Sequence, residues 1–283
     1  MDVDFCEATP SQISKPLLVL FHGLEGSSAS HYSQAFADWG LQNGCDIALP
    51  HFRGCSGTLN LAPRAYHSGD HEEIDHLLRK FKRLVDAQSR PSLLAAGVSL
   101  GGNALMRWAG EHGQSAQKVV NAVASICSPL DLTASGHAIG RGFNRQVYTR
   151  MFLRSMKPKA MAKLKQFPGL FNAHKLMAAQ DLYEFDDVFT APLHGFKNTD
   201  DYWLRASALQ HMGCIALPAL ALNAKNDPFI PSNSLPTSGK VSAHVRLWQP
   251  DDGGHAGFAS GFLPGHLKAM PKAVGQWLLQ HIH

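Results

Sequence analysis

Ser99 sits in Gly97-Val98-Ser99-Leu100-Gly101, a G-x-S-x-G pentapeptide. A serine hydroxyl is a weak nucleophile until a base takes its proton, and that base needs an acid to orient it. Two other residues have settings suited to those roles. His255 lies in Gly253-Gly254-His255-Ala256-Gly257, past a strand-like run and ahead of the last helical one. Its glycines let an imidazole swing over the edge of a sheet. The chain has sixteen histidines, and of these His255 alone has that setting. Asp227 directly follows the apolar run 217–222, and Pro228 stiffens its turn and removes a competing N–H. Asp131, after the run 119–126, is the rival acid; Asp251 and Asp252 are too close to His255 in sequence. Serine, base and acid together would perform acyl transfer through a covalent intermediate.

Such a site needs elements to hold it. Residues 93–96 have the length and composition of a buried parallel strand, and 103–111 read as a helix with Leu105, Met106 and Ala109 on one side. A strand, a tight glycine turn around a serine and then a helix make a nucleophile elbow. A Cβ at position 97 or 101 would crowd the neighbouring strand or helix. The Leu100 N–H opens the helix and faces a developing oxyanion. The second oxyanion donor is expected from Leu24, after the strand 17–21, with His22 and Gly23 shaping that loop and lying at the substrate. Arg53 follows the strand 46–49; it suits either a substrate anion or an ion pair that holds the loop. Further strands are expected at 119–126, 217–222 and 244–248, with a weak edge strand at Val3 and Phe5. Helices are expected at 30–42, 69–88 and 270–282. The alternation predicts an α/β fold with a mostly parallel sheet flanked by helices. Residues 131–212 interrupt it, are helical in character and are too long for one crossover. They read as a cap inserted after the strand ending near Ile126, within a single domain, 1–283.

Composition bounds the alternatives. At 283 residues, 45% hydrophobic and 17% charged, the chain can bury a large core. No run approaches the roughly 18 apolar residues of a membrane span, and the N-terminus lacks the pattern of a signal peptide. Five scattered cysteines without a C-x-x-C pair argue against zinc and a disulfide framework, and fit a reducing cytoplasm. A net charge of +4 is too small to argue for nucleic acid. The charge is uneven, however. From 132 to 180 there is no Asp or Glu, yet there are nine cations: Arg141, Arg145, Arg150, Arg154, Lys157, Lys159, Lys163, Lys165 and Lys175. Phe143, Tyr148, Met151, Phe152 and Leu153 lie among them. One reading is a solvated helix face beside a pocket lining; the other is a surface for acidic substrates such as acyl-CoA or an anionic lipid.

The strings HGLEGSS (22–28), HFRGCSG (51–57), YHSG (66–69), GVSLGGN (97–103), EFDD (184–187), HGF (194–196), NDPFIP (226–231) and GGHAGF (253–258) span nearly the whole chain. In this order they resemble the YheT-like branch of the α/β-hydrolases, the AB hydrolase 4 family. The resemblance implies an α/β-hydrolase fold with a helical cap and a serine esterase-type activity. The chain order Ser99, Asp227, His255 is that of the α/β-hydrolases. Members of that branch usually carry several tens of residues ahead of the first HG loop. Here only fifteen precede Pro16, so the sheet edge is expected to be trimmed or reduced. The implied partner is a small acyl ester, with no metal and no organic cofactor. Transfer to an acceptor other than water, thioester cleavage, and a ligand-binding sensor with slow turnover are the alternative uses of the same site.

Overall fold

The strand 17–21 shows how the sheet is built. Its side chains alternate between two faces, as the pleat requires. Leu17, Val19 and Phe21 join one apolar cluster, and Leu18 and Leu20 join another on the opposite face. A strand buried on both faces needs a helix layer on each. In the computed structural model, which describes residues 1–8, 15–261 and 265–282, both layers are present. The chain runs β1 Val3–Cys6, β2 Leu17–Phe21, α1 His31–Asn43, β3 Asp46–Pro50, α2 His71–Ala87, β4 Leu93–Val98, α3 Leu100–His112 and β5 Ala122–Ile126. Helices and turns follow: α4 Leu132–Ile139, α5 Gly142–Asn144, a π-helical turn Arg145–Thr149, α6 Arg150–Gln166, α7 Ala173–Ala178, α8 Leu182–Phe185, α9 Ala191–Leu193 and α10 Thr199–Ala206. β6 Ala219–Leu222, β7 Val245–Trp248 and α11 Ala269–Leu279 complete the fold.

Among the described residues the sheet has seven strands in the order β1-β3-β2-β4-β5-β6-β7. All pair in parallel except β1, which runs antiparallel to β3 with Val3 opposite Pro50. The first residues thus supply the sheet edge. α2 and α3 cover one face through Ile74, Leu78, Phe81, Leu105 and Trp108. α1 and α11 cover the other through Phe36, Trp39, Val274 and Leu278. No helix among the described residues is long and apolar enough to cross a membrane.

Several ends differ from the expected ones, each for a local reason. α2 begins at His71 rather than 69, because the Asp70 side chain accepts the Glu73 N–H and sets the N-cap there. β6 begins at Ala219 because Pro218 has no N–H to give the ladder, although its carbonyl accepts from Val123. β5 starts at Ala122 because 113–118 form a 3₁₀ turn, and Val119 and Val120 are spent burying its exit in the core.

The sheet and α3 meet at two glycines. A Cβ on Gly97 would lie 2.5 Å from the Gly101 carbonyl carbon, and one on Gly101 would lie 2.6 Å from the Phe21 and His22 carbonyl oxygens. Both contacts are with backbone, which cannot rotate aside. Gly101→Ala should therefore lower stability by about 1–3 kcal/mol, the usual cost of overpacking. Gly239→Ala, where a Cβ meets nothing within 4 Å, should change it by less than about 0.5 kcal/mol. Urea denaturation of the two variants checks this.

Candidate active site

Ser99 joins β4 to α3 with φ 52° and ψ −118°, a left-handed conformation that costs a residue with a Cβ. Its N–H donates to the Ile126 carbonyl at 2.8 Å, and its own carbonyl accepts from Gly102 and Asn103 at 3.0 and 3.1 Å. These bonds hold the residue in the turn and project Oγ beyond the strand ends. Oγ lies 3.1 Å from His255 Nε2. His255 Nδ1 lies 2.8 Å from Asp227 Oδ2, and Asp227 Oδ1 accepts the Phe229 N–H at 2.8 Å. With Nδ1–H donating to the carboxylate, the Nε2 lone pair faces the serine hydroxyl. The Asp227 side chain is fully buried, and the Phe229 ring rests on His255 with centroids 4.4 Å apart. The fold thus brings together Ser99, Asp227 and His255 from three separate strand ends. Asp131 is elsewhere: its carboxylate accepts the Ala134 N–H at 3.0 Å as the N-cap of α4. Asp251 and Asp252 bind Lys225 and Asn226 at the surface.

Leu24 and Leu100 flank the serine in the same cavity. The loop carrying Leu24 passes close, since a Cβ on Gly23 would lie 3.2 Å from Ser99 Cβ. The Leu100 N–H, first in α3, precedes the helix's own acceptors. His22 is not at the cavity. It is buried, its Nε2 accepts the Phe52 N–H at 3.0 Å, and its Nδ1 lies 2.7 Å from the Gly23 carbonyl oxygen. It ties the loops after β2 and β3 together and is not among the cavity-lining side chains. Gly23 and Arg53 do line the cavity, and Arg53 is ion-paired to buried Glu73. Burial, with the nearby Asp70 charge, raises the Glu73 carboxyl to about 6 against the Arg53 charge.

Four residues escaped the sequence reading as site components. Tyr66 OH accepts the Glu25 N–H at 3.0 Å and donates to Glu25 Oε1 at 2.8 Å. Glu25 has φ 57°, directly after Leu24, so this bidentate hold fixes the loop that presents the Leu24 N–H. Lys159 of α6 pairs with the other oxygen of Glu25 at 2.9 Å. Asn103 bonds the carbonyls of Ser68 and Ala206 and the N–H of Ala208, joining α3 to the loop before α2 and to the return of the helical insertion. Only their place in the quoted strings marked Tyr66, Asn103 and Glu25, and only its charge marked Lys159. The HGF string also has a role: both ring nitrogens of His194 face carbonyl oxygens, of Thr190 and Ala65.

The basic stretch is not one surface. Lys163 is buried, bonding the carbonyls of Asn60 and Ala62, and desolvation lowers its pKa. Lys157 bonds the carbonyls of Met177 and Ala179. Among the described residues no three His, Cys, Asp or Glu side chains are grouped to hold a metal ion.

The cavity over Ser99 measures about 710 Å³. Its walls beyond the polar end are apolar, among them Leu132, Ile139, Phe152, Phe185, Phe189 and Ile230.

Residues 16–262 match the α/β hydrolase fold family. The chain is 34% identical to "Putative esterase YheT" of Escherichia coli strain K12, over 100% of this chain and 82% of that protein. The chain is an α/β-hydrolase. This hydrolase is also 26% identical to Phospholipase ABHD3 of Mus musculus, over 95% of its own length and 66% of the relative's. Among solved structures, the esterase Pf2001 of Pyrococcus furiosus superposes with a TM-score of 0.57 at 15% identity, covering 95% of this chain and 84% of that one. Est1E of Butyrivibrio proteoclasticus does so with a TM-score of 0.55 at 15% identity, covering 99% and 95%. At those identities the two structures speak for the fold alone.

The buried loop histidine of this hydrolase makes a measurable claim. Burial lowers His22 from 6.5 to about 4, against the Gly23 carbonyl, which raises it. The folded pKa is below the unfolded one, so the unfolded chain takes the proton first as pH falls. The contribution of neutral His22 is complete above 6.5 and is lost progressively down to about 4. Stability from urea denaturation should fall over that window by about 3 kcal/mol on account of this group. His22→Asn should flatten the pH profile by the same amount.

Proposed function

We propose that the chain is a serine hydrolase of carboxylic esters working through an acyl-enzyme, with Ser99, His255 and Asp227 as its catalytic residues. The reading rests on one observation above all: the unbroken hydrogen-bond chain from buried Asp227 through His255 to Ser99 Oγ. The names of its relatives, an esterase and a phospholipase, agree with ester substrates.

In this mechanism His255 Nε2 accepts the Ser99 proton as Oγ attacks the ester carbonyl carbon. Asp227 fixes the tautomer and stabilises the imidazolium. The carbonyl π electrons move to oxygen, and that oxyanion takes hydrogen bonds from the N–H groups of Leu24 and Leu100. Collapse of the tetrahedral species expels the alcohol oxygen, which takes the proton from His255. Water then enters, gives a proton to His255 and attacks the acyl-enzyme; the acid leaves and Ser99 regains its proton. The acyl chain occupies the apolar cavity, and the helices between β5 and β6 act as the cap that closes it. Tyr66 and Glu25 serve as positioning residues for the Leu24 donor.

An organophosphonate should attach to Ser99 and abolish ester turnover, read by mass spectrometry of the labelled peptide. Ser99→Ala should lose kcat by on the order of 10⁵–10⁶ while remaining folded. Asp227→Asn should lose about 10⁴, by leaving His255 in the wrong tautomer. Asp131→Asn should leave kcat unchanged and change stability by less than about 0.5 kcal/mol, since the Asn oxygen caps α4 as well as the carboxylate does. Labelling at another serine, or normal turnover in Ser99→Ala, would overturn the assignment.

A further inference from the structure

Residues 142–166 form one nearly continuous helical rod with two different sides. On the inner side Tyr148 and Phe152 line the cavity, and Tyr148 packs against Phe229, the residue seated on His255. On the outer side Phe143 is 72% exposed, Val147 42% and Met151 55%. These three are spaced by four and recur on successive turns of the rod. Met151 is both half-exposed and part of the cavity lining, so this ridge runs up to the cavity mouth.

Beside the ridge lies a recess of about 520 Å³ walled by Arg145, Arg150, Arg154 and Lys157. Arg145 reaches Gln180 and Lys157 reaches backbone carbonyls. Among the described residues no carboxylate pairs with any of the four, and the sequence from 132 to 180 contains none. Lys159 is committed to Glu25, and Lys157 and Lys163 to backbone carbonyls, so the three arginines carry the unbalanced charge of the recess. Met177, whose carbonyl accepts from Lys157, is 53% exposed.

We propose that this outer face docks on an anionic bilayer surface and presents the cavity mouth to it. Exposed apolar side chains beside unpaired arginines are what an interfacial helix uses: the apolar groups enter the acyl boundary while the cations stay at the headgroups. The charge sign selects an anionic membrane, and the adjoining apolar cavity is where an acyl chain leaving that membrane would go. Vesicle binding does not depend on Ser99 acting as nucleophile, so it is tested apart from the proposed hydrolysis.

The test is flotation of the full chain with vesicles of phosphatidylcholine, with and without phosphatidylglycerol. The protein should float with the anionic vesicles, remain behind with the neutral ones, and release as salt is raised. The triple variant Arg145→Gln, Arg150→Gln, Arg154→Gln should bind the anionic vesicles on the order of a hundredfold more weakly. Its turnover of a soluble short-chain ester should stay unchanged, which also reports that it is folded. Phe143→Ala with Val147→Ala should weaken binding while keeping the salt dependence. Equal binding by the triple variant, or no binding to anionic vesicles, would overturn the proposal. So would a dimer in sedimentation equilibrium that Phe143→Ala dissociates, because a second copy would then own the face. Vesicle binding without turnover of any ester would leave the docking intact and count against the catalytic reading alone.

Discussion

The left-handed turn at Ser99 is the constraint on which the site depends. A residue with a Cβ at φ 52° stores about 1–3 kcal/mol of strain, and something must hold it there. Three backbone hydrogen bonds do so, one from β5 and two from the first turn of α3. They act only because α3 can approach β2 and β4 closely enough, and that approach exists only where positions 97 and 101 have no Cβ. The same approach brings the Leu24 loop and Leu100 into one cavity with Ser99. The proposed nucleophile and oxyanion donors are therefore not separate placements. They are consequences of one backbone crossing.

The second constraint is polar and lies farther out. The loop after β2 is held from three directions: by His22 to Phe52, by Tyr32 OH, which accepts the Gly23 N–H at 2.9 Å, and by Tyr66 through Glu25. The third hold continues into the helical insertion through Lys159. Buried or half-buried polar bonds of this kind are costly to break singly, since each leaves a desolvated partner behind. Movement of α6 is thereby coupled to the conformation of Glu25, one residue from the Leu24 donor. Asn103 adds a fourth stitch, saturated on both its amide nitrogen and its oxygen, between the elbow helix and the return of the insertion.

What the sequence made legible follows the range of the interactions involved. The elbow was legible because strand, glycines and helix are contiguous, and His255 because glycines surround it. The β strands were legible as apolar runs, while their ends moved where a local polar group or a proline decided them, as at Asp70 and Pro218. Asp131 and Asp227 both follow strands, and the sequence left Asp131 open as a rival; the fold commits Asp131 to capping α4. The partnership of Tyr66 with Glu25 spans 41 residues and has no periodic trace. The cations of 141–175 look alike in sequence. They divide into buried, committed and unpaired groups only because carbonyls from Asn60, Ala62 and Ala179 come within reach of some of them.

That division has a structural origin within the rod itself. Pro158 lies inside α6 and cannot donate to the carbonyl of Arg154, so the helix loses one bond where its environment changes. Ahead of it Arg150, Met151 and Arg154 face outward. Beyond it Ala160 and Lys163 are buried against the loop at 60–62 and the cavity floor. The π-helical turn at 145–149 lies at the other end, where the rod leaves Thr149 buried on the Ile139 carbonyl. The segment thus presents apolar and cationic groups outward over its first half, while Tyr148 and Phe152 on its other side, and Ala160 and Lys163 beyond Pro158, enter the cavity wall. A regular helix with a single apolar stripe would have to give up one of the two.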